Sequence, residues 1–102
     1  MMKVSGMYVS PAEVEAALVA HEDVLEAAVV GARDEDGLTK PKAFVVAKPG
    51  IRADEDLERA LETHAKGLLA SFKCPRWFAL VDDLPKTATG KIQRFKLREP
   101  PP

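Results

Sequence analysis

Pro85-Lys86-Thr87-Ala88-Thr89-Gly90-Lys91-Ile92 is the stretch whose residue types and order best suit chemistry. Pro85 fixes φ at one end, Gly90 tolerates positive φ at the other, and the threonines can hydrogen-bond to nearby backbone. Together they predict a constrained loop with the Lys91 ammonium near its tip. A lysine is a compact point charge on a flexible stem. On a fixed loop it suits neutralising phosphate or carboxylate charge in a transition state. The stretch is not a phosphate-binding P-loop, which needs a glycine five positions before the Gly-Lys pair and a hydroxyl residue after it. Pro85 and Ile92 occupy those places. On spacing alone, a surface turn with a solvated lysine stands beside the chemical reading.

Other polar residues are weaker candidates. His21 and His64 lack a cysteine or carboxylate constellation and suit surface or core-edge positions. Asp34-Glu35-Asp36 reads as a solvated loop rather than a metal site, and Asp82-Asp83 as the approach to the lysine loop. Trp77 and Phe78 read as packing or sheet-edge residues.

The elements that must hold the loop follow from periodicity and punctuation. The first nine residues, with Val4, Ser5, Gly6, Tyr8 and Val9, read as an extended or looped lead-in. Ser10-Pro11-Ala12-Glu13 opens a helix, with Ser10 as cap, Pro11 in the first helical position and Glu13 completing a capping box. Val14, Ala17, Leu18 and His21 share one face, and the helix is expected to end near His21. Val24 to Val30 and Lys42 to Lys48 are short valine-rich runs, expected as buried strands. Asp36-Gly37 marks the turn of a polar loop between them, which points to an antiparallel hairpin. A second helix is expected from Asp54 to about Ser71, with Leu57, Ala60, Leu61, Ala65, Leu68 and Leu69 at helical spacing and acidic residues at its N-terminus. Pro75 closes it, and Arg76 to Val81 reads as a third strand. Gln93 to Arg98 suits a final helical turn, and Pro100 to Pro102 an extended tail. The expected fold is α+β: a small three-stranded sheet covered by two main helices, with an N-terminal lead-in loop and a C-terminal lysine loop.

The bulk properties bound this reading. A chain of 102 residues suits one small domain, and 46% hydrophobic with 30% charged residues is an ordinary globular balance. Fifteen basic against sixteen acidic side chains leave a net charge of −1. That balance favours neither nucleic acid nor an anionic membrane as partner. Cys74 is the only cysteine, so neither an internal disulfide nor a cysteine-based metal site is available. The apolar runs are too short for a membrane span, and Met-Met-Lys does not open a signal peptide. A cytoplasmic location is the expectation.

Four stretches carry a family resemblance. They are Lys3-Val4-Ser5-Gly6-Met7-Tyr8-Val9-Ser10-Pro11 with Glu13-Val14-Glu15; Val24-Leu25-Glu26-Ala27-Ala28-Val29-Val30-Gly31; Lys40-Pro41-Lys42-Ala43-Phe44-Val45; and Lys73-Cys74-Pro75-Arg76-Trp77 running into Leu84 to Arg94. In this order they resemble the C-terminal domain of adenylate-forming acyl-CoA ligases, over nearly all of residues 3 to 98. The details look most like benzoate-CoA ligases and their aromatic-acid relatives. The resemblance implies a two-step reaction: ATP and Mg²⁺ convert an aromatic carboxylic acid to an acyl-adenylate, and coenzyme A then takes the acyl group. It makes Lys91 the catalytic lysine of adenylation, bridging a carboxylate oxygen and an α-phosphate oxygen. It places Ser5, Gly6 and Met7 along the pantetheine channel once the small domain has rotated. Arg76, Arg94, Lys96 and Arg98 could touch coenzyme A phosphates, although solvated surface charge is their expected role.

The same resemblance implies a mobile C-terminal domain at 1–99, a proline tail at 100–102, and a large N-terminal adenylation domain that is absent here. That domain would supply the acid pocket, most of the ATP site and the Mg²⁺ contacts, so the chain alone is expected to be inactive. Acetylation of Lys91 by a protein lysine acetyltransferase would remove the charge that adenylation needs. The alternative is a stand-alone, non-catalytic binding or interaction module that docks on a separate adenylation domain. A carrier-protein-loading adenylation enzyme is a further variant of the same superfamily.

Overall fold

The two valine-rich runs form the centre of the protein. The computed structural model describes residues 2–4 and 6–97; Ser5, Arg98 and the proline tail lie outside the described residues. Strand β3 (Val24–Arg33) and strand β4 (Thr39–Ala47) pair antiparallel, with Val29 opposite Ala43 and Arg33 opposite Thr39. Both run further into the loop than expected, because its polar ends continue the ladder, while β4 stops one residue short of Lys48. Asp34 closes the loop: its Oδ1 accepts from the backbone N–H of Asp36 at 2.9 Å and of Leu38 at 3.0 Å. A third strand, β5 (Trp77–Leu80), lies parallel to β4, with Lys42 opposite Trp77 and Val45 opposite Leu80. Parallel neighbours need a crossover. Helix α2 (Glu55–Leu68) lies in that connection, and the sheet order is β3-β4-β5.

Helix α1 (Pro11–Val19) begins at the expected Ser10-Pro11, but the capping box does not form. The Ser10 side chain makes no capping bond. Its carbonyl instead accepts from the N–H groups of Glu13 and Val14 at 3.1 and 3.4 Å. The Glu13 carboxylate is taken by Lys73 Nζ at 2.6 Å, so a tertiary ion pair outcompetes the local motif. The helix also ends at Val19, short of His21. At α2 the cap is genuine: Asp54 Oδ1 accepts from Asp56 and Leu57 at 3.1 and 3.3 Å. Leu57, Leu61 and Ala65 are its buried face. It stops at Leu68, which is exposed, because leaving the helix there turns Leu69 and Phe72 onto the core.

The lead-in is more ordered than expected. Strands β1 (Met2–Val4) and β2 (Met7–Val9) pair as an antiparallel hairpin, with Lys3 opposite Tyr8 and Val4 opposite Met7. Val4 and Val9 are fully buried and join Val14 and Leu18 of α1 and Leu61 of α2 in the main core. That core lies on the sheet face carrying Ala27, Val29, Ala43 and Val45. The alternate residues Ala28, Phe44 and Val46 face the other way, as the period of two requires, and pack with Leu84, Ile92 and Leu97. Helices and hairpin thus cover one face, and the C-terminal segment with its lysine loop covers the other.

Candidate functional site

Both legs of the Lys86–Ile92 segment are tied together at the base. Lys86 and Ile92 form an isolated antiparallel bridge, and Gln93 N–H donates to the Pro85 carbonyl at 2.8 Å. Thr87 organises the tip: its N–H donates to the Lys91 carbonyl at 2.8 Å, and its carbonyl accepts from Gly90 N–H at 2.9 Å. Its hydroxyl accepts from Lys91 N–H at 3.1 Å and lies 3.0 Å from the Thr89 hydroxyl. Gly90 sits at φ +89°, where a side chain would strain the backbone. The expected constrained loop is present, and proline, threonine and glycine each play the part their chemistry suggested.

The two lysines of the loop have different surroundings. Lys86 Nζ is 2.6 Å from Glu26 Oε1 on β3 and 3.8 Å from Asp83 Oδ1. The hydrogen bond to Glu26 raises its pKa above the usual lysine value, reinforced by both carboxylate charges and opposed by desolvation. Lys91 is exposed, and among the described residues its ammonium meets no ion-pair or hydrogen-bond partner. A fixed backbone therefore carries one committed cation and one cation available for a ligand.

Beyond the loop the chain is fastened to α1. Arg94, in the short 3₁₀ turn Arg94–Lys96, donates from Nε to Glu15 Oε2 at 2.7 Å and from its terminal nitrogen to Glu15 Oε1. Glu15 Oε2 also accepts from Val29 N–H at 2.8 Å. One buried carboxylate thus closes a donor on the open edge of β3 and holds the segment that follows Lys91. The Arg94 pKa rises further above its usual value, mainly through the hydrogen bond to Glu15. Arg94 is consequently a structural cation rather than the solvated surface charge expected of it.

Gly6 occupies the hairpin turn at φ +81°, and a Cβ built there would meet nothing within 4 Å among the described residues beyond its chain neighbours. Neighbouring Met7 and Tyr8 are exposed. Ser5, also assigned to this loop, lies outside the described residues. The Gly6 turn and the Lys91 loop extend from segments packed on opposite faces of the sheet, so the structure does not bring the two expected site regions together.

The remaining candidates have structural partners. His64 Nε2 donates to the Ala17 carbonyl at 2.7 Å, satisfying a last-turn carbonyl of α1. His21 stacks edge-on against His64 at 5.1 Å and accepts from Asp23 N–H at 3.1 Å. Glu35 reaches Arg76 at 3.4 Å. Phe78 packs against the main core, and Trp77 is half-buried at the sheet edge. Among the described residues no group of three or more His, Cys, Asp or Glu could hold a metal ion. No helix among them is long and apolar enough to cross a membrane. Glu15 and Glu26 are the site residues that the sequence reading left without a role. A charged residue at a buried helical position is the only signal that could have singled out Glu15.

Comparison with known proteins matches this architecture. Residues 13–91 fit the family described as the AMP-binding enzyme C-terminal domain. The chain is 70% identical over 98 residues to a benzoate-CoA ligase of Thauera aromatica, covering 96% of this chain and 19% of that protein. Among solved structures, an anthranilate CoA ligase in complex with anthranoyl-AMP superposes with a TM-score of 0.92 at 52% identity, over 95% of this chain and 19% of the other. A benzoate CoA ligase from Burkholderia xenovorans gives 0.84 at 60% identity, over 90% and 19%. The chain spans about a fifth of the length of these relatives. It belongs to the AMP-binding enzyme C-terminal domain family, the small α+β domain found in acid-CoA ligases.

Proposed function

We propose that residues 1–99 act as the mobile C-terminal domain of an ATP-dependent aromatic-acid CoA ligase of the benzoate type. The observation that carries this reading is the Lys91 ammonium, without a partner among the described residues and held at the end of a hydrogen-bonded loop beside a lysine already neutralised by Glu26. In the adenylation half-reaction the acid carboxylate attacks the α-phosphorus of ATP and pyrophosphate leaves. Lys91 would hold one oxygen of each reacting group, countering like-charge repulsion as they meet. Interactions that strengthen in the transition state raise the rate.

In the second half-reaction the coenzyme A thiol attacks the acyl carbonyl and AMP departs. Ser5, Gly6 and Met7 are assigned to the pantetheine channel. The open space around Gly6 supports this, since backbone there can approach a ligand closely. The placement of the two regions on opposite sheet faces suits a domain that turns between half-reactions.

The acid pocket, most of the ATP site and the Mg²⁺ contacts would belong to a large adenylation domain. Mg²⁺, when bound there with the nucleotide, would neutralise phosphate charge; this chain offers backbone geometry and Lys91. An acetyl group on Lys91 would abolish the charge and with it adenylation. A cytoplasmic setting fits ATP and coenzyme A as co-substrates.

The test is release of AMP by the complete ligase carrying this domain. Release that requires both benzoate and coenzyme A supports the reading. Turnover of aliphatic acids alone would overturn the aromatic assignment, and no acid-dependent release with any carboxylate would overturn the ligase assignment.

A further inference from the structure

Lys86 and Lys91 lie five positions apart on one tied loop, and among the described residues only Lys86 of the two has a carboxylate partner. Its ammonium is 2.6 Å from Glu26, which stands on β3, sixty positions away in sequence. Lys86 is also bridged through its backbone to Ile92, the residue following Lys91. A force on the Lys86 side chain is therefore transmitted to both legs of the loop. On the far side Glu15 holds Arg94. The loop is thus fastened to the β3–α1 edge before and after Lys91.

We infer that Glu26 is a positioning residue for Lys91: by holding Lys86 it fixes the loop's first leg and leaves Lys91 as the cation that meets substrate. The inference rests on the adenylation role proposed above and adds a named residue to it. The ion pair also disposes of a competitor. An unpaired Lys86 would offer an acid or a phosphate a second cation on the same loop, and a ligand held there would be displaced from the reacting geometry. Small displacements of reacting groups cost on the order of 10²-fold in rate.

The Glu26 and Lys86 side chains are 27% and 32% exposed, and glutamine at position 26 keeps the size of the side chain and an oxygen that can accept from Lys86. Glu26→Gln is therefore expected to fold. In the complete ligase we expect its acid-dependent ATP–pyrophosphate exchange to fall about tenfold or more in kcat. KM for ATP and for the acid should rise by no more than about twofold, and thioester formation from preformed acyl-adenylate should change less than about twofold. The charge exchange Glu26→Lys with Lys86→Glu, which restores the pair, should recover most of the lost rate. A merely structural role would depress both half-reactions together and would not produce that split.

Lys91→Ala in the same enzyme separates two failures. If Lys91→Ala abolishes exchange while Glu26→Gln stays within twofold of the parent, the positioning inference is wrong and the adenylation role stands. Unimpaired exchange in Lys91→Ala would overturn both. Equal loss in both half-reactions of Glu26→Gln, or no recovery in the charge exchange, would also overturn the inference.

Discussion

Glu15 and Arg94 are 79 positions apart, yet one carboxylate receives the guanidinium and the Val29 N–H together. The pair ties the helix-covered face of the sheet to the segment that carries the lysine loop on the other. Glu15→Ala would leave a guanidinium and an edge N–H without their acceptor. It should lower stability by about 1.5–3 kcal/mol, the range for hydrogen bonds to charged groups. The cost stays below that of breaking a fully buried pair, because the Arg94 side chain is 37% exposed. Urea unfolding measures it. Glu62→Ala, which breaks only the exposed Lys66–Glu62 pair, should cost under about 0.5 kcal/mol in the same assay.

Gly6→Ala separates backbone strain from ligand approach. Among the described residues beyond its chain neighbours a Cβ there meets nothing within 4 Å, so the expected cost is strain at φ +81°, about 1 kcal/mol. If coenzyme A passes over this turn, thioester formation from preformed acyl-adenylate should fall at least tenfold while pyrophosphate exchange changes little. Equal effects on both would remove the turn from the channel.

Thr87→Val should loosen the loop without touching its charges. It removes the acceptor of the Lys91 N–H and the partner of the Thr89 hydroxyl. Exchange should fall several-fold, and amide hydrogen exchange at Lys91 should accelerate by about tenfold, matching the loss of about one hydrogen bond. Unchanged amide protection would show that the hydroxyl does not organise the tip.

Cys74 should be a slow thiol. It is partly buried, with Sγ 3.6 Å from the Ala70 carbonyl, and burial raises its pKa more than Lys66 lowers it. Iodoacetamide at pH 8 should label it more slowly than free cysteine, with the difference vanishing in urea. The sign for stability follows. The unfolded thiol ionises first as pH rises, so the folded form loses stability between the ordinary thiol value and the raised one. Labelling as fast as free cysteine would contradict the burial.

The central sheet was legible because Val24 to Val30 and Lys42 to Lys48 are too short and too apolar for any other use. The loop was legible because proline, threonine and glycine constrain backbone locally. The β1–β2 hairpin was not, since three-residue strands carry too few alternations to show a period. Ser10 to Glu13 misled because a capping box is a local motif, and Lys73, sixty positions away, captures Glu13. Glu15 and Glu26 were silent for a related reason. A glutamate in a helix or strand defaults to solvent, and only the fold shows Arg94 and Lys86 arriving beside them.

The most direct test of the central claim is Lys91→Ala in the complete ligase, with the two half-reactions measured separately. Pyrophosphate exchange should fall on the order of 10²–10³-fold, the usual loss for one charge-stabilising donor. Thioester formation from preformed acyl-adenylate should stay within about threefold of the parent, since the proposed turn of the domain would carry Lys91 away from the reacting atoms before that step. Comparable loss in both half-reactions, or intact exchange, would contradict the assignment of Lys91 to adenylation.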